Sequence, residues 1–370
     1  MCEHTFVRWE NLTVEHEAGA RLPGFREPAT VRTFDAPDAL GTRFYEVRAR
    51  SALNPVRGSR LPFNWSINPY RGCSHACRYC FARPTHTYLG FNAREDFDHE
   101  IVVKVNAPEL VRAELARPSW KGDHVALGTN TDPYQWVEGR YRLMEGIWNA
   151  MLEARNPCSV LTKSPLLLRD IKLMARLAQT TEFVANLSIP TLDERAWRET
   201  EPRTPHPRKR IEAVAELNRA GIPTGVLIAP LMPGINDSPE QVNRILELCA
   251  EAGATSIGGV PLHLRGEVRA IFLDWLRDRR PDLVGRYEEL YERGGYLPKA
   301  EQSRLIRLTG GSGRQEPGAQ EARLRSGGSG RRTGRARNER EPDGNSARGS
   351  TAALRVVNQV RQKAAQRSLF

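Results

Sequence analysis

The sequence predicts an α/β protein whose core is a parallel sheet. Short apolar and often β-branched segments alternate with amphipathic helical segments from residue 61 to about residue 295. Six strands that alternate with helices in this way favour parallel strands joined by crossover helices. A chain of 370 residues has room for one such domain with extensions on either side.

The predicted strands are all short and apolar, and they cover residues 63–67, 124–128, 159–163, 182–189, 224–229 and 255–260. The main predicted helices lie between them, at residues 142–155, 167–178, 207–220, 239–252 and 267–277. Gly221 and Pro223 are typical of a helix stop, and Ser238 followed by Pro239 is typical of a helix start. Residues 100–105 are predicted as an extra edge strand.

The segments that flank this core differ from it in composition. Residues 1–60 contain four prolines and few periodic apolar runs, and we expect an irregular N-terminal extension that packs against the core of residues 61–295. Residues 296–350 are predicted to be a linker and a disordered low-complexity segment, because Gly, Ser, Arg and Glu in no periodic order cannot bury a core. Residues 351–370 are predicted to form a short basic helix.

Most of the net charge of +11 lies in the C-terminal tail. Residues 310–370 contribute a net charge of +8, whereas the preceding 309 residues contribute only +3. A nearly balanced core gives little support for an extended phosphate-binding surface, so nucleic acid is expected to bind, if at all, through the basic tail. The local basic group of Arg203, Arg208, Lys209 and Arg210 is interpreted as a solvated loop and helix start.

Three cysteines stand close together in the segment Cys73-Ser-His-Ala-Cys77-Arg-Tyr-Cys80. They offer three thiolates to an iron–sulfur cluster of a type that normally takes four, which leaves one iron with an open position. A zinc site that adds His75 has suitable ligand types but crowded spacing. A disulfide fits this odd set of three poorly, and the other cysteines are isolated along the chain.

Several features lead us to expect a soluble cytoplasmic protein without membrane association. Six cysteines in 370 residues, most of them scattered, fit a reducing compartment. No stretch approaches the roughly 18 consecutive apolar residues of a membrane span. The N-terminus lacks the basic start and apolar run of a secretory signal.

The segment Arg71-Gly-Cys73-Ser-His-Ala-Cys77-Arg-Tyr-Cys80-Phe-Ala-Arg83 resembles the cluster loop of radical S-adenosylmethionine (SAM) enzymes. The chain is similar to their spore-photoproduct-lyase-like branch, including actinobacterial proteins labelled DNA repair photolyases. The resemblance implies a partial (β/α)6 barrel of parallel strands and a 4Fe–4S cluster on Cys73, Cys77 and Cys80. It also implies that SAM binds the open iron. An external reductant of flavodoxin or ferredoxin type would supply one electron, and a 5′-deoxyadenosyl radical would form.

The resemblance points to strand ends as SAM contacts, since parallel barrels place their active sites at the carboxyl ends of their strands. After the second predicted strand, Gly128, Thr129, Asn130 and Asp132 would hold the SAM ammonium. Their segment matches the Thr-Asp-Pro-Tyr-Gln stretch of the lineage, although Asn-Thr-Asp-Pro is also an ordinary turn signal.

Three further positions carry an implied cofactor role. Lys163 ends the third predicted strand and Ser188 the fourth, and these side chains would contact the carboxylate and the ribose of SAM. The backbone of Tyr79 and the loop of residues 229–237 would flank the adenine. In solvent, Lys163 is also an ordinary helix-start lysine, and Tyr79 an ordinary loop-packing residue.

The substrate is not specified by the sequence. Spore photoproduct lyase returns a hydrogen atom from a cysteine between its cluster loop and its second strand end, and this chain has no cysteine between Cys80 and Cys158. Tyr88, Tyr134 and Cys158 are candidate radical relays, and His263 is a candidate substrate contact. Three functions stay open: a radical SAM enzyme with an unknown substrate, a DNA-lesion repair lyase, and a non-enzymatic iron–sulfur protein associated with nucleic acid.

Overall fold

Two sheets organise residues 14–39, 41–56 and 61–310, which are the residues that the computed structural model describes. Their strands are β1 (Val14–Ala20), β2 (Ala29–Phe34), β3 (Arg43–Val47), β4 (Leu53–Pro55), β5 (Trp65–Ile67), β6 (Tyr70–Arg71), β7 (Glu100–Lys104), β8 (Val125–Leu127), β9 (Cys158–Thr162), β10 (Phe183–Ser188), β11 (Thr224–Leu231) and β12 (Ile257–Pro261).

The helices mostly connect these strands. They are α1 (Asp96–His99), α2 (Ala107–Leu115), α3 (Glu138–Tyr141), α4 (Leu143–Ala154), α5 (Ile171–Thr180), α6 (Glu194–Thr200), α7 (Pro207–Arg219), α8 (Pro239–Glu251), α9 (Glu267–Arg279), α10 (Val284–Leu290) and α11 (Lys299–Leu308). No helix in the described ranges is long and apolar enough to cross a membrane.

The larger sheet contains the six parallel strands that the sequence predicts. Its order is β12-β11-β10-β9-β8-β5-β4, and every neighbouring pair from β5 to β12 is parallel. The short strand β4 pairs antiparallel with β5 at one edge. Consecutive strands therefore lie side by side with helices between them, which confirms the predicted α/β architecture. The sheet is open among the described residues, with β12 at its other edge.

Local signals set the ends of the connecting helices. Ser238 accepts a hydrogen bond from the backbone of Gln241, and Pro239 occupies the first turn of α8. Beyond α7, Gly221 adopts a left-handed φ of 78° and donates its amide to the carbonyl of Asn218. Both signals agree with the sequence prediction. The inner residues of β8, β10 and β11 are buried, as expected for a parallel sheet covered by helices.

A second sheet corrects the prediction of an irregular N-terminal extension. Its order is β1-β2-β3-β7-β6, with β3 parallel to β7 and the other pairs antiparallel. Prolines near residues 23–37 obscure the pattern, yet Val31, Tyr45 and Val47 lie on one buried face, and Phe44 is buried on the other. The segment predicted as an edge strand is β7, which lies inside this second sheet, between β3 and β6.

The prediction of a linker from residue 296 is wrong for residues 297–310. Helix α11 lies in this stretch, with Leu305 fully buried, and Thr309 reaches the middle of β12. A methyl group on Gly259 would lie 2.8 Å from Thr309 Cγ2, so the glycine makes room for this contact. The low-complexity segment beyond residue 310 and the basic helix at residues 351–370 lie outside the described residues and stay predictions.

Candidate active site

The cluster loop, defined here as residues 71–83, starts at the end of β6, just beyond the carboxyl end of β5. Gly72 has a φ of 79°, and a side chain there would lie 2.9 Å from the carbonyl oxygen of Phe97. The turn therefore needs glycine for both its conformation and its close packing. Within the loop, Cys73 and Cys77 are buried and Cys80 is half-buried.

The three thiols of the loop suit an iron–sulfur cluster. None of them forms a disulfide. The side chains of Cys73 and Cys80 pack in the same group of buried residues, together with Phe97. Burial raises the pKa of Cys73 and of Cys77, and the charges of neighbouring cysteines raise both further. Three thiolates in one short loop would repel one another, and bound iron would offset that repulsion and displace the thiol protons. The donor set thus fits a 4Fe–4S cluster with three protein ligands.

The alternative of a zinc site that includes His75 is not supported. The Nδ1 atom of His75 lies 3.3 Å from Oδ2 of Asp132 instead of sharing a centre with the thiols. Within the described ranges, no group of three or more His, Cys, Asp and Glu side chains is arranged to hold a single metal ion. A four-iron cluster distributes its ligands over separate irons, so it needs no such convergence.

Side chains from outside the loop fix its backbone. Thr131 Oγ1 donates a hydrogen bond to the carbonyl of Gly72 at 2.7 Å, and Gln135 Oε1 accepts one from the amide of Ser74 at 2.9 Å. From the loop itself, the buried Arg83 donates from Nε to the carbonyl of Cys77 at 3.0 Å and pairs with Asp98 at 2.8 Å. The predicted SAM-binding segment after β8 is therefore also an anchor of the cluster loop.

Asp132 holds several segments together. Its Oδ1 accepts hydrogen bonds from Thr162 Oγ1 at 2.5 Å and from the amide of Tyr134 at 2.9 Å, and its Oδ2 accepts one from the amide of Lys163 at 2.8 Å. Burial alone would raise the pKa of Asp132, but the charge of His75 and these hydrogen bonds outweigh burial and lower it to about 2. Both carboxylate oxygens are thus occupied by contacts within the protein. Asp132 therefore stabilises the loops, and its carboxylate is less available to bind the ammonium of SAM.

The other predicted residues after β8 have different surroundings. Gly128 has a φ of 87°, and a methyl group there would lie 2.0 Å from the carbonyl oxygen of Leu161. Thr129 exchanges hydrogen bonds with the side chain of Asn68. Asn68 Oδ1 also accepts a hydrogen bond from the amide of Asn130 at 2.9 Å. The side chain of Asn130, just beyond the carboxyl end of β8, is exposed. Cofactor binding by these residues remains a prediction.

Lys163 and Ser188 are adjacent at the ends of β9 and β10. The Lys163 ammonium donates to Ser188 Oγ at 2.7 Å, and Ser188 Oγ donates to the carbonyl of Ala229 at 3.0 Å. The Lys163 ammonium also lies 5.8 Å from the centre of the Tyr79 ring on the cluster loop. The structure thus brings three predicted SAM contacts together with the first residue of the predicted adenine loop.

The sequence reading missed Glu201 and misjudged Arg210. Glu201 follows α6, is fully buried, and accepts hydrogen bonds from Tyr79 and Arg210. Arg210 was interpreted as a solvated basic residue, but it is fully buried and also donates to the carbonyl of Ser188 at 2.9 Å. No local pattern marks either residue, because Tyr79 lies far from Glu201 in the chain and the pair of Glu201 and Arg210 forms only when the loop before α7 folds back.

The three candidate radical relays do not share a site. Tyr134 is buried in the core, where its hydroxyl donates to Asp170 and accepts from Trp148. Cys158 is the first residue of β9, at the end opposite to Lys163, and this position argues against a relay role. Tyr88 is 76% exposed on a 3₁₀ helix after the cluster loop.

An aromatic patch adjoins the cluster loop, and we define it as Phe81, His263 and Tyr296. The His263 ring lies 5.7 Å from that of Phe81 and 5.8 Å from that of Tyr296, and the latter pair is stacked. Phe81 and Tyr296 are 52% and 58% exposed, which is unusual for large apolar side chains. Arg265 places its guanidinium 5.9 Å from the centre of the Tyr296 ring.

Comparisons with known proteins identify the family of this chain. A family model described as the radical SAM superfamily matches residues 67–254. An uncharacterised protein of Mycobacterium tuberculosis is 47% identical over 285 residues, which cover 77% of this chain and 84% of that protein. The chain belongs to the radical SAM superfamily, whose members use a 4Fe–4S cluster and SAM.

More distant similarities point to the same fold. A radical SAM Nα-GlyT isomerase of Pseudomonas phage M6 is 27% identical over 205 residues, covering 54% of this chain and 40% of that protein. A solved structure of a spore photoproduct lyase mutant has a TM-score of 0.51 at 16% identity, covering 71% of this chain and 76% of the other. At this level of identity the solved structure supports the fold alone.

Proposed function

We propose that this radical SAM enzyme binds its 4Fe–4S cluster through Cys73, Cys77 and Cys80 and cleaves SAM reductively. The observation that carries the proposal is a loop with three free thiols, two buried and one half-buried, whose Tyr79 ring lies 5.8 Å from the ammonium of Lys163. Lys163 and Ser188 lie in contact at the ends of adjacent parallel strands. When bound, such a cluster would supply one electron for cleavage of the sulfonium bond of SAM into methionine and a 5′-deoxyadenosyl radical, which would abstract a hydrogen atom from the substrate. An external flavodoxin- or ferredoxin-type protein would supply that electron.

The chain's own residues orient SAM in this proposal. The ammonium of Lys163 suits the SAM carboxylate, and the hydroxyl of Ser188 suits the ribose. Asn130 has an exposed side chain available for the SAM ammonium. Asp132 and His75 hold the cluster loop against the segment that carries Asn130.

The test is anaerobic reconstitution of the cluster followed by addition of dithionite and SAM. We expect 5′-deoxyadenosine and methionine to form, and we expect neither with the Cys77→Ala variant. If the wild-type protein contains an intact cluster and forms no 5′-deoxyadenosine, the proposal is wrong. That outcome would favour a structural or sensing role for the cluster.

A second candidate is radical chemistry on nucleic acid, including repair of a DNA lesion, and the aromatic patch favours it. Bases stack on exposed aromatic side chains, and Arg265 lies within reach as a cation. Residues 310–370, with a net charge of +8, are a candidate for holding the phosphate backbone. The absence of a cysteine between Cys80 and Cys158 counts against a reaction that uses a cysteine there as hydrogen donor.

Two measurements separate these possibilities. Deuterium transfer from labelled oligonucleotides, with and without lesions, into 5′-deoxyadenosine would identify a nucleic-acid substrate. Removal of residues 310–370 tests the tail: if oligonucleotide binding disappears while SAM cleavage persists, the tail and the core have separate roles. Binding through about 6–10 phosphates would weaken 10³–10⁵-fold between 50 and 200 mM salt, and a flat salt response would contradict the electrostatic part.

A further inference from the structure

One buried carboxylate, that of Glu201, lies between the cluster loop and the end of β9. The hydroxyl of Tyr79, which stands between Cys77 and Cys80, donates a hydrogen bond to Glu201 Oε1. The ammonium of Lys163 lies 3.5 Å from the same oxygen. A single side chain thus contacts both the metal-binding loop and the predicted SAM-binding lysine.

Glu201 carries its negative charge in this buried position. Arg210, also fully buried, places Nη2 2.7 Å from Glu201 Oε2. Burial would raise the pKa of Glu201, but the charges of Arg210 and Lys163 and the hydrogen bond from Tyr79 outweigh burial and lower it. Because its pKa lies below the ordinary value for glutamate, the carboxylate is ionised at neutral pH.

The two cations that face Glu201 are not equivalent. Arg210 makes a close ion pair with it, whereas the 3.5 Å contact of Lys163 is at the limit of a hydrogen bond. The nearest polar partner of Lys163 is Ser188, at 2.7 Å, and this partner is uncharged. Lys163 therefore keeps the capacity to pair with a further anionic group, while Glu201 limits where its ammonium can lie.

Backbone contacts also hold Glu201 next to the cysteine ligands. The amide of Arg78 donates a hydrogen bond to the carbonyl of Thr200 at 3.0 Å. Arg78 and Tyr79 are the two residues between Cys77 and Cys80, and Thr200 directly precedes Glu201. The carboxylate is therefore fixed beside the stretch of the loop that carries two of the three ligands.

We propose that Glu201 is a positioning residue that ties the cluster loop to Lys163 and lowers the potential at which the cluster is reduced. The inference rests on the proposed function, in which Cys73, Cys77 and Cys80 hold the cluster. Reduction potentials of iron–sulfur clusters respond to nearby charge, hydrogen bonding and solvent exposure. A fixed carboxylate beside the ligands disfavours reduction and so strengthens the reducing power available toward SAM.

The test is the midpoint potential of the reconstituted cluster, titrated without SAM and followed by electron paramagnetic resonance. Glu201→Gln removes the charge and keeps the size of the side chain, and we expect the equilibrium for reduction to become at least tenfold more favourable. For one electron, tenfold corresponds to a positive shift of about 59 mV. Glu201→Asp keeps the charge and should stay close to the wild-type potential.

The matched control is Glu114→Gln. Glu114 is also buried, but it accepts hydrogen bonds from the backbone amides of Ala52 and Leu53, away from the cluster loop. We expect no change of potential in this variant. A shift as large as that of Glu201→Gln would mean that any loss of buried charge has the same effect, and the inference would be wrong.

Two further results would overturn the inference. One is a Glu201→Gln protein with full iron content and the wild-type potential. If the Glu201→Gln variant loses its cluster, the test uses Arg210→Met instead. Without the Arg210 cation, the charge of Glu201 is less neutralised, and the midpoint potential should shift in the negative direction. An unshifted potential in Arg210→Met would contradict the inference. Neither measurement needs SAM cleavage. A wild-type protein that assembles its cluster and yields no 5′-deoxyadenosine therefore contradicts the proposed function alone.

Discussion

His75 and Asp132 form a buried contact, with 3.3 Å between Nδ1 and Oδ2, that joins the cluster loop to the loop after β8. Both side chains are more than nine-tenths buried. The same carboxylate accepts hydrogen bonds from Thr162 and from the amide of Lys163 at the end of β9. One carboxylate thus holds three segments of the candidate active site in place.

This arrangement predicts an acid-dependent loss of stability that involves Asp132. Its pKa of about 2 lies below the value of about 3.9 expected in the unfolded chain. The carboxylate therefore stabilises the fold fully above about pH 5, by roughly 2.6 kcal/mol at about 1.4 kcal/mol per unit, and this stability is lost as the pH falls through about 4 to 2 and below. Asp132→Asn should lower the free energy of unfolding in urea at pH 7 and flatten its dependence between pH 4 and 2.

The control for this prediction is Asp278→Asn, which changes an exposed carboxylate of α9. It should leave both the free energy of unfolding and its pH dependence near the wild-type values. An Asp132→Asn protein with an unchanged pH profile would show that Asp132 does not titrate as its contacts imply.

Replacing any one of the three loop cysteines should remove the cluster. Cys73→Ala, Cys77→Ala and Cys80→Ala each leave two thiolates, which is too few for a stable cubane. We expect less than a tenth of the wild-type iron and sulfide per chain after reconstitution. Cys249→Ala is the control: this cysteine is buried on α8, and its loss should reduce stability slightly and leave the iron content unchanged. Normal iron content in a loop variant would contradict the ligand assignment.

Lys163→Met should weaken SAM binding while the cluster stays intact. A hydrogen bond to a charged group is worth about 1.5–3 kcal/mol, which predicts a dissociation constant roughly 10–100-fold higher. Equilibrium binding of SAM to the reconstituted protein measures the effect. Lys172→Met is the matched control, because Lys172 is an exposed lysine of α5. Equal affinities in both variants would remove Lys163 from the SAM site.

Gly128→Ala should destabilise the protein far more than Gly90→Ala. Both glycines have left-handed φ angles, 87° and 80°, and alanine costs about 1–2 kcal/mol there. Only at Gly128 does the added methyl group meet backbone, 2.0 Å from the carbonyl oxygen of Leu161, whereas nothing lies within 4 Å at Gly90. Thermal unfolding of the two variants compares the costs, and similar melting temperatures would contradict the packing at Gly128.

Local chemistry explains what the sequence could predict. Cys73, Cys77 and Cys80 lie within eight residues, so the sequence shows the ligand set directly. The parallel strands that end at Lys163 and Ser188 have clear apolar patterns. Both Lys163 and Ser188 were predicted as SAM contacts at strand ends, and because neighbouring parallel strands end at one edge of the sheet, the two side chains lie close together in the structure.

What the sequence could not predict depends on contacts between distant segments. Glu201 is more than a hundred residues beyond its partner Tyr79, and neither residue has a local pattern that announces the pair. Strands β1 to β3 were missed because prolines mask short alternating segments, and because β3 joins the sheet by pairing with the distant strand β7. Helix α11 was missed because its amphipathic stretch joins a long polar tail.

The packing of Thr309 on Gly259 determines where the basic tail is attached to the folded body. Thr309 contacts Gly259 in the middle of β12. Gly259 is four residues before His263, a distance of roughly 13 Å along an extended chain. Under the nucleic-acid proposal, a molecule bound by residues 311–370 would be attached to the body near the exposed rings of Phe81 and Tyr296. Such tethering raises local concentration without adding a single contact, so a weakly selective tail could supply the active site with material it binds only briefly.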